Sequence, residues 1–492
     1  MSNQQNLCNS TWKSQTGYIW SLIGSAVGFA NILSFSAQVY KNGGGAFLIP
    51  YCMALFVLGI PFLLLEGTIG SRLKSPLVTA YGLAWGSLGK VFGWLAVLAC
   101  VSIGSFYIVL TGYSVAYTYF AAMNEIPEDT KSFFLNSFLK TTPSLLEMGQ
   151  LSWPVFLSTV AVAILSWVVV GRAIRDGIER VCTIFMPLLA VIMTLFAVIA
   201  LLLPGGVNGL VYYLQPNFEK LFDVALWRDV FGQLFFSLSL GLGIVVGYSR
   251  HTQQQTNIAR AMLYVALGDF AVSFISGAAI FGCLAHISYT QNIPFDSILT
   301  SDSTFEIGFI VFPQILKFFG PTLSQAVGMI FFFCVFIAGI TGVFSIIESI
   351  AGNVEVEFRL TRKQAVSVTT AVLMALGIFF CFGNAMHLID TLAPMVMGTN
   401  MLIGGLGLIL AFVYGKKALQ DYPGKDFYGF CLRYIAPALL GIILAGTFIQ
   451  DFQNLNLAFA VRWGWLGVAL LLSYSFVQLT KKESVELLAT NR

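Results

Sequence analysis

A break in the first apolar segment of the chain carries residues suited to binding an ion or a charged group. The segment reads GSAVGFANILSFSAQVYKNGGGAFLIP over residues 24–50, with Gly28 at the break and the polar side chains of Ser25 and Asn31 beside it. An unwound segment persists in a membrane only where it lines a cavity enclosed by protein. Free carbonyls and amides at such breaks bind ions and charged substrate groups in secondary transporters. The alternative is a glycine that softens an ordinary packing helix.

Two carboxyl groups inside apolar segments are further candidates for function. Asp269 lies in VALGDFAVSF and Glu66 in LLLEGTIG. An ionisable group within the membrane is costly and is a functional candidate by default, the alternative for Asp269 being an acid that reaches the interface from a helix end. The histidines His251, His286 and His387 are too dispersed for a metal site.

The remaining motifs give no sign of an enzyme or a metal centre. The cysteines are scattered singly without a CxxC pair, so neither a zinc site nor a disulfide framework is indicated. No HExxH, GxSxG or GxGxxG pattern stands in a suitable context, and no Ser/His/Asp set lies within the apolar segments. We therefore expect no enzymatic activity.

The elements that must position these residues are membrane-spanning helices. The chain is 57% hydrophobic and 10% charged, with a mean hydropathy of +0.82, whereas a soluble chain carries about 25% charged residues. The net charge of +3 is spread out, which excludes a basic surface for nucleic acid. The N-terminal residues lack the pattern of a cleaved signal peptide.

Twelve apolar runs are long enough to span a bilayer. They cover residues 17–40, 44–70, 91–122, 153–170, 178–203, 229–249, 261–289, 322–354, 364–382, 388–414, 430–449 and 461–480. With twelve spans both termini lie on one side, and the loops on that side hold most of the Lys and Arg residues. The positive-inside rule therefore predicts cytoplasmic termini.

A second span is interrupted like the first. The sixth run breaks in FFSLSLGLG, five spans after the break at 27–30. This spacing predicts two inverted repeats that each open with a broken helix, over residues 17–203 and 229–414. The last two spans occupy 430–480, and residues 481–492 form a cytoplasmic tail of the same single domain.

In chain order, the runs GSAVGFANILSFSAQVYKNGGGAFLIPY, GIPFLLLEGTIGSR, GIERVCTIFMP, GQLFFSLSLGLG and FIAGITG resemble the neurotransmitter:sodium symporter family, particularly its bacterial amino-acid transporters. The likeness covers nearly the whole chain. It implies an all-α integral membrane protein with 12 transmembrane helices, a 5+5 inverted repeat and broken helices 1 and 6. It also implies sodium-coupled import of amino acids by alternating access, in a bacterial inner membrane.

The resemblance implies a substrate site at the two breaks. Its residues would be Ala26, Gly28, Phe29, Ala30, Ile103, Tyr107, Phe236, Ser237, Ser239, Leu242, Gly342 and Ile346. Amides at the start of a half-helix favour a carboxylate, and a tyrosine hydroxyl can hold its second oxygen. The implied side-chain end of the pocket carries no charge, which favours a neutral, hydrophobic amino acid.

Two sodium sites are implied as well. The first would use Ala26, Asn31, Ser237 and Asp269, and the second would use Gly24, Val27, Ala338 and Thr341. Hard cations prefer such oxygen ligands. Relatives commonly have a hydroxyl at the position of Gly342, so we expect the second site to be weaker.

A set of residues similar to the family's chloride site is also present. It consists of Tyr51, Gln233, Ser237 and Ser273. Asp269 would already supply a fixed negative charge there, so we expect that chloride is not required. Chloride dependence is the open alternative.

The ion pairs that usually close the two ends of the pathway are missing. The outer pair falls on Ser34 and Ala393, and the inner pair falls on Asn9 and Val356. The candidate substitutes at the inner end are Arg250, Glu355 and Glu357, with solvated loop charges as the alternative. Two other functions stay open: a sodium-independent exchanger or proton-coupled carrier using Asp269, and a receptor or channel that does not transport.

Overall fold

The structure, a computed structural model, describes residues 11–298, 306–316, 321–415, 419, 426–453 and 457–490. Within these ranges the structure is helical and has no β-strand longer than a single bridge. Isolated β-bridges join Gly44 to Pro216 and Leu151 to Phe382. The main helices, numbered in chain order, are α1 Gln15–Ala26, α2 Ala30–Lys41, α3 Gly45–Leu73, α4 Leu77–Ala122, α5 Trp153–Val170, α6 Arg175–Leu202, α7 Val224–Ser237, α8 Ile244–Ser249, α9 Ile258–Gln291, α10 Pro321–Glu357, α11 Arg362–Cys381, α12 Ala385–Tyr414, α13 Phe427–Gln453 and α14 Leu457–Thr490.

Shorter helices lie in the long connections. They are Thr130–Ser132, Phe133–Phe138, Gly206–Leu214, Phe218–Phe222, Phe295–Ser297, Glu306–Val311 and Phe312–Leu316. The helix Gly206–Leu214 packs directly on α9, because a Cβ added at Gly209 would lie 2.1 Å from the carbonyl oxygen of Phe281. The long connections between the spans therefore contain short helices within the described residues.

Most of the predicted spans are present. Ten of the described helices are long and apolar enough to cross a membrane, and α1 with α2 makes an eleventh span that bends by 59°. The sixth predicted run contains α7 and α8, which are separated by six residues and do not pass this test together. The total of twelve spans stays a prediction.

Two helices extend beyond the predicted runs, while the cytoplasmic tail stays a prediction. Helix α4 begins at Leu77, before the predicted run 91–122, and its backbone is non-helical at a kink at Trp85 and Gly86. The segment predicted as a tail from 481 continues α14 to Thr490. Asn9 and residues 491–492 lie outside the described residues.

Helix ends follow from local capping groups. The Ser14 hydroxyl accepts a hydrogen bond from the Gly17 amide, and the Asn257 side chain accepts one from the Arg260 amide. Thr361 and Gln364 form a capping box at the start of α11. These bonds satisfy amide donors that have no partner inside the helix.

Long helices pack against the helices that flank the two breaks. Helix α9 contacts α1, α3 and α6, and α4 contacts α5, α10 and α11. Helix α8 packs between α3 and α10. The functional residues predicted on α1, α4, α7, α9 and α10 therefore face one another across the middle of the protein.

Candidate functional site

The break between α1 and α2 lies where the sequence predicts it. Helix α1 ends at Ala26, and Val27 is extended with φ −72° and ψ 114°. The Gly28 amide donates a hydrogen bond to Oδ1 of Asn31 at 2.8 Å, so a side chain replaces the missing helical acceptor. Helix α2 then begins as one turn of π-helix at Ala30.

The break between α7 and α8 requires unusual backbone angles. Gly241 and Gly243 have φ of +80° and +75°, and Ser239 has φ of +52°, in the left-handed region that glycine adopts without strain. The Gly241 amide donates to Oε1 of Glu66 at 2.8 Å, and Glu66 is fully buried. Glu66 therefore supports the unwound backbone.

Four polar side chains meet between the two breaks. The amide nitrogen of Asn31 lies 2.6 Å from Oδ1 of Asp269, 2.9 Å from Oγ of Ser237 and 2.8 Å from Oγ of Ser273. The Ser237 hydroxyl also lies 2.9 Å from Oδ2 of Asp269. Asp269, Asn31, Ser237 and Ser273 are all fully buried. Asp269 is therefore not an acid that reaches the interface.

This polar cluster fits a small hard cation. It combines the Asp269 carboxylate with the hydroxyl oxygens of Ser237 and Ser273, which such cations prefer, and Asp269 can supply a negative charge to balance the cation. A buried carboxylate without a balancing charge is costly, so the donor set itself favours a bound cation. The cluster contains three of the four residues predicted for the first sodium site, and the fourth, Ala26, lines the adjoining cavity.

A small cavity of about 30 Å³ opens beside this cluster. Its lining comes from both breaks and from α4 and α10: Ser25, Ala26, Gly28, Ala30, Ile103, Tyr107, Phe236, Ser239, Leu242, Ile244, Gly342, Ser345 and Ile346. One water molecule needs roughly 10–15 Å³, so the cavity holds two or three, and a bound amino acid requires its walls to move apart.

Ten of the twelve predicted substrate residues line this cavity. Of the other two, Phe29 packs its ring edge-on against Tyr107 with centroids 5.2 Å apart, and Ser237 belongs to the polar cluster. The predicted substrate set omits Ile244, Ser345 and also Ser25, which the sequence indicated only as a polar residue beside the break. Ser345 lies three residues after Gly342 and therefore on the same helix face, a spacing that could have identified it.

Tyr107 is held between two glycines. A Cβ added at Gly28 would lie 2.2 Å from the Tyr107 hydroxyl oxygen, and one added at Gly342 would lie 2.8 Å from it. The hydroxyl therefore occupies space that any larger residue at either position would take. It stands beside the break at Gly28, as expected of a group that binds a substrate carboxylate.

The residues predicted for a second sodium site lie where α1 approaches α10. The Thr341 hydroxyl lies 3.0 Å and 3.2 Å from the carbonyl oxygens of Ile337 and Ala338. A Cβ added at Gly24 would lie 3.3 Å from Cβ of Thr341, so the two helices touch here. Val27 is the extended residue at the end of α1.

The residues that resemble a chloride site surround the same polar cluster. Gln233 donates to the Ala30 carbonyl at 2.8 Å and accepts from the Ser34 hydroxyl at 2.9 Å. Ser273 donates to the Asp269 carbonyl, and Tyr51 is fully buried. At the outer end, Ser34 is thus hydrogen-bonded to Gln233, and Ala393 is a buried neutral residue.

The inner end contains a buried ion-pair network that the sequence reading identified in part. Glu348 of α10 is fully buried and lies 2.7 Å from Arg362 and 3.2 Å from Arg250. Arg250 also lies 3.8 Å from Glu355. The Arg250 side chain is 8% exposed, so it is not a solvated loop charge. The central carboxylate, Glu348, was missed.

The other candidate substitute, Glu357, belongs to a different pair. It binds Lys90 at 2.7 Å and accepts a hydrogen bond from Thr79. Val356 is 44% exposed and makes no charged contact. The inner network is therefore centred on Glu348 rather than on the acids nearest to Val356.

Two further groups join the inner network. His251 accepts a hydrogen bond from Nε of Arg250 at 2.8 Å and lies 3.4 Å from Glu348. Burial, followed by the positive charge of Arg250, lowers the pKa of His251. The Trp12 indole donates a hydrogen bond to the Tyr248 carbonyl at 2.8 Å. This bond connects the segment before α1 to α8 at the inner end of the protein.

Comparison with known proteins is consistent with this architecture. The crystal structure of MhsT in complex with L-phenylalanine superposes with a TM-score of 0.77, covering 89% of this chain and 99% of that chain at 27% identity. The two discontinuous helices and the buried polar cluster thus occur in a protein that shares the fold of MhsT.

Sequence comparison gives the family. The profile of the Sodium:neurotransmitter symporter family matches residues 9–130 and 121–480, so the chain belongs to that family. An uncharacterized sodium-dependent transporter of Methanocaldococcus jannaschii is 31% identical over 454 residues, 90% of each chain. A sodium-dependent dopamine transporter of Caenorhabditis elegans is 25% identical, over 90% of this chain and 81% of that protein. The family is one of transporters and not of enzymes.

Proposed function

We propose that this protein is a symporter that couples the entry of sodium to the import of neutral, hydrophobic amino acids. The observation that carries the proposal is the cavity between the two breaks, which adjoins the polar cluster of Asn31, Ser237 and Asp269. Its other end is lined by Ile103, Leu242 and other apolar side chains. The similarity to MhsT, whose structure holds L-phenylalanine, supports this substrate class.

The substrate site has one end that binds the carboxylate and one apolar end that selects the side chain. The Tyr107 hydroxyl and the backbone amides at the α1–α2 break hold the substrate carboxylate. The apolar end excludes a charged side chain, because an unpaired charge buried there would be strongly disfavoured. Gly28 leaves the space that this arrangement needs, since its nearest neighbour is the Tyr107 hydroxyl.

Sodium binds mainly at the polar cluster. Asn31, Ser237, Asp269 and the Ala26 carbonyl form the first site, next to the substrate carboxylate. The second site uses the carbonyls of Gly24, Val27 and Ala338 with the Thr341 hydroxyl, and it is weaker because Gly342 adds no oxygen. Chloride is not required, because the Asp269 carboxylate already supplies a negative charge there and accepts a hydrogen bond from Ser237, one of the chloride-site-like residues.

Transport proceeds by alternating access in a bacterial inner membrane, with both termini in the cytoplasm. Residues 17–203 and 229–414 act as inverted repeats, each opening with a broken helix. The network around Glu348 closes the inner end, since it joins Arg250, next to α8, to Arg362 of α11.

Uptake of labelled amino acids into proteoliposomes tests the proposal. We expect uptake that requires an inward sodium gradient and is competed by Leu, Ile, Val, Met or an aromatic amino acid. Competition by Glu or Lys instead would contradict the apolar pocket. Asn31→Ala should abolish the sodium-dependent part, because it removes a ligand of the first site.

The second candidate is a sodium-independent exchanger or a proton-coupled carrier of the same fold. The observation that favours it is Gly342, which leaves the second sodium site without a side-chain oxygen at that position. Uptake that is indifferent to sodium but driven by a proton gradient or by internal amino acid would establish this alternative.

A further inference from the structure

A concave apolar groove lies on the membrane-facing side of the protein, away from the substrate cavity. Its volume is about 560 Å³, within the 300–1,000 Å³ range of small-molecule sites. Helices α3, α7 and α13 form its walls, with Met53, Val57, Phe231, Leu439 and Ile442 among the lining side chains. Met53 and Ile442 are 54% and 70% exposed. Because α3 and α13 are long enough to span the bilayer, lipid reaches these side chains.

The floor of the groove is shaped by small residues. Gly446 lines it, and a Cβ added there would meet nothing within 4 Å. Ala54 stands opposite on α3. A flat helix surface would offer no such recess, so the groove can take a flexible chain of CH₂ groups along its length.

One end of the groove carries a positive charge. Arg228, near the start of α7, lines it with a side chain that is 49% exposed. Asp229 lies 3.7 Å from Arg228 and 3.0 Å from Lys41, so these three groups together carry one net positive charge. The Trp227 indole lies beside them and donates to the Leu221 carbonyl, the position of an aromatic anchor at a membrane interface.

We propose that this groove binds one phospholipid, with an acyl chain between α3 and α13 and the phosphate on Arg228. The apolar recess and the single charged end match the two parts of that molecule. A guanidinium pairs with phosphate through charge-assisted hydrogen bonds. An apolar partner would leave this positive charge unpaired, so the charge favours the lipid, whose phosphate pairs with it.

Lipid retention by the full-length protein, measured by native mass spectrometry, tests the proposal. The probes are dioleoyl phosphatidylglycerol and dioleoylglycerol, which share their acyl chains and differ in the phosphate. We expect Gly446→Phe to lose one retained phosphatidylglycerol, and Gly467→Phe, on the exposed face of α14, to retain it. Arg228→Gln should bind phosphatidylglycerol roughly tenfold more weakly, and Lys131→Gln, which removes an exposed charge elsewhere, should not.

Fluorescence quenching provides a second measurement that does not depend on a substitution blocking the groove. Phosphatidylglycerol with brominated acyl chains should quench a component of the tryptophan emission that Trp227→Phe removes. Equal lipid retention by Gly446→Phe and the unmodified protein would overturn the proposal. So would an unchanged preference for phosphatidylglycerol over dioleoylglycerol in Arg228→Gln, or a change in oligomeric mass in place of lipid loss.

Discussion

The position of the Tyr107 hydroxyl between two glycines gives a prediction that separates two kinds of steric conflict. A Cβ at Gly28 would lie 2.2 Å from the hydroxyl oxygen, but the next nearest atom, Cζ of Tyr107, would be 3.5 Å away. A Cβ at Gly342 would lie 2.8 Å from the oxygen and also 2.9 Å and 3.1 Å from the ring carbons Cε1 and Cζ. Removing the oxygen should therefore relieve the first conflict and not the second.

The magnitude follows from the cost of overpacking a buried site. Forcing an extra methyl group into a packed core costs about 1–3 kcal/mol, which is roughly 5- to 150-fold in an equilibrium constant. We expect Gly28→Ala and Gly342→Ala each to weaken amino-acid binding within this range and to lower the unfolding temperature. In a Tyr107→Phe background, Gly28→Ala should add less than about a twofold effect, since 3.5 Å is an ordinary contact.

The assay is a double-mutant cycle on purified protein. Binding of a labelled hydrophobic amino acid in saturating sodium gives one readout, and the unfolding temperature without substrate gives a second that does not involve the carboxylate. Gly247→Ala is the matched control, because its added Cβ would lie 3.7 Å from its nearest neighbour. If Gly28→Ala costs the same with Tyr and with Phe at position 107, the placement of the hydroxyl against Gly28 is refuted.

Three further predictions concern the charged groups. Glu348→Gln leaves two arginines without their buried partner, at a cost of about 3–5 kcal/mol, so thermal stability and uptake should fall. Glu355→Gln, at a half-buried position, should have little effect on either. Equal effects of the two substitutions would contradict a network centred on Glu348. Because burial lowers the pKa of His251, the neutral ring stabilises the closed inner end above about pH 6.5, and this stabilisation is lost as the pH falls. Hydrogen exchange of residues 12–18, corrected for the intrinsic rate, should therefore rise from pH 7.5 to 6. In His251→Phe it should not change over the same range. Uptake should be equal in gluconate and chloride, and Asp269→Asn should create chloride dependence; strong chloride stimulation of the unmodified protein would contradict this role.

The two breaks could be predicted because their residue types differ from those of the apolar runs around them. Glycines and small polar residues within apolar runs have no role in a plain spanning helix, and the family likeness then assigned roles to individual positions. The same reasoning identified Glu66, whose bond to Gly241 joins residues 175 positions apart. The helical segment before the kink at Trp85 and Gly86 was not predicted, because residues 77–90 are not apolar enough to register as a span.

The inner network shows what the sequence could not provide. Glu348 and Arg250 are 98 positions apart, and nothing in their local sequences indicates that they are partners. The prediction considered acids near Val356, since it worked from motif positions. The carboxylate that matters lies two helical turns earlier on α10, at a distance that only tertiary packing determines.

The contrast between the two ends of the pathway bears on how transport is controlled. At the outer end a neutral hydrogen bond joins Ser34 to Gln233, and such a bond contributes about 0.5–1.5 kcal/mol. At the inner end Glu348 is fully buried between Arg250 and Arg362, and deleting one partner of a buried pair costs about 3–5 kcal/mol. These charged contacts therefore hold the inner end more strongly than the neutral bond holds Ser34 to Gln233. Under the proposed mechanism, sodium and substrate must supply that difference by closing the break at Gly28 around themselves. Under the same mechanism, the inner network is the barrier to leakage in the absence of substrate, which offsets the loss of the family's outer ion pair.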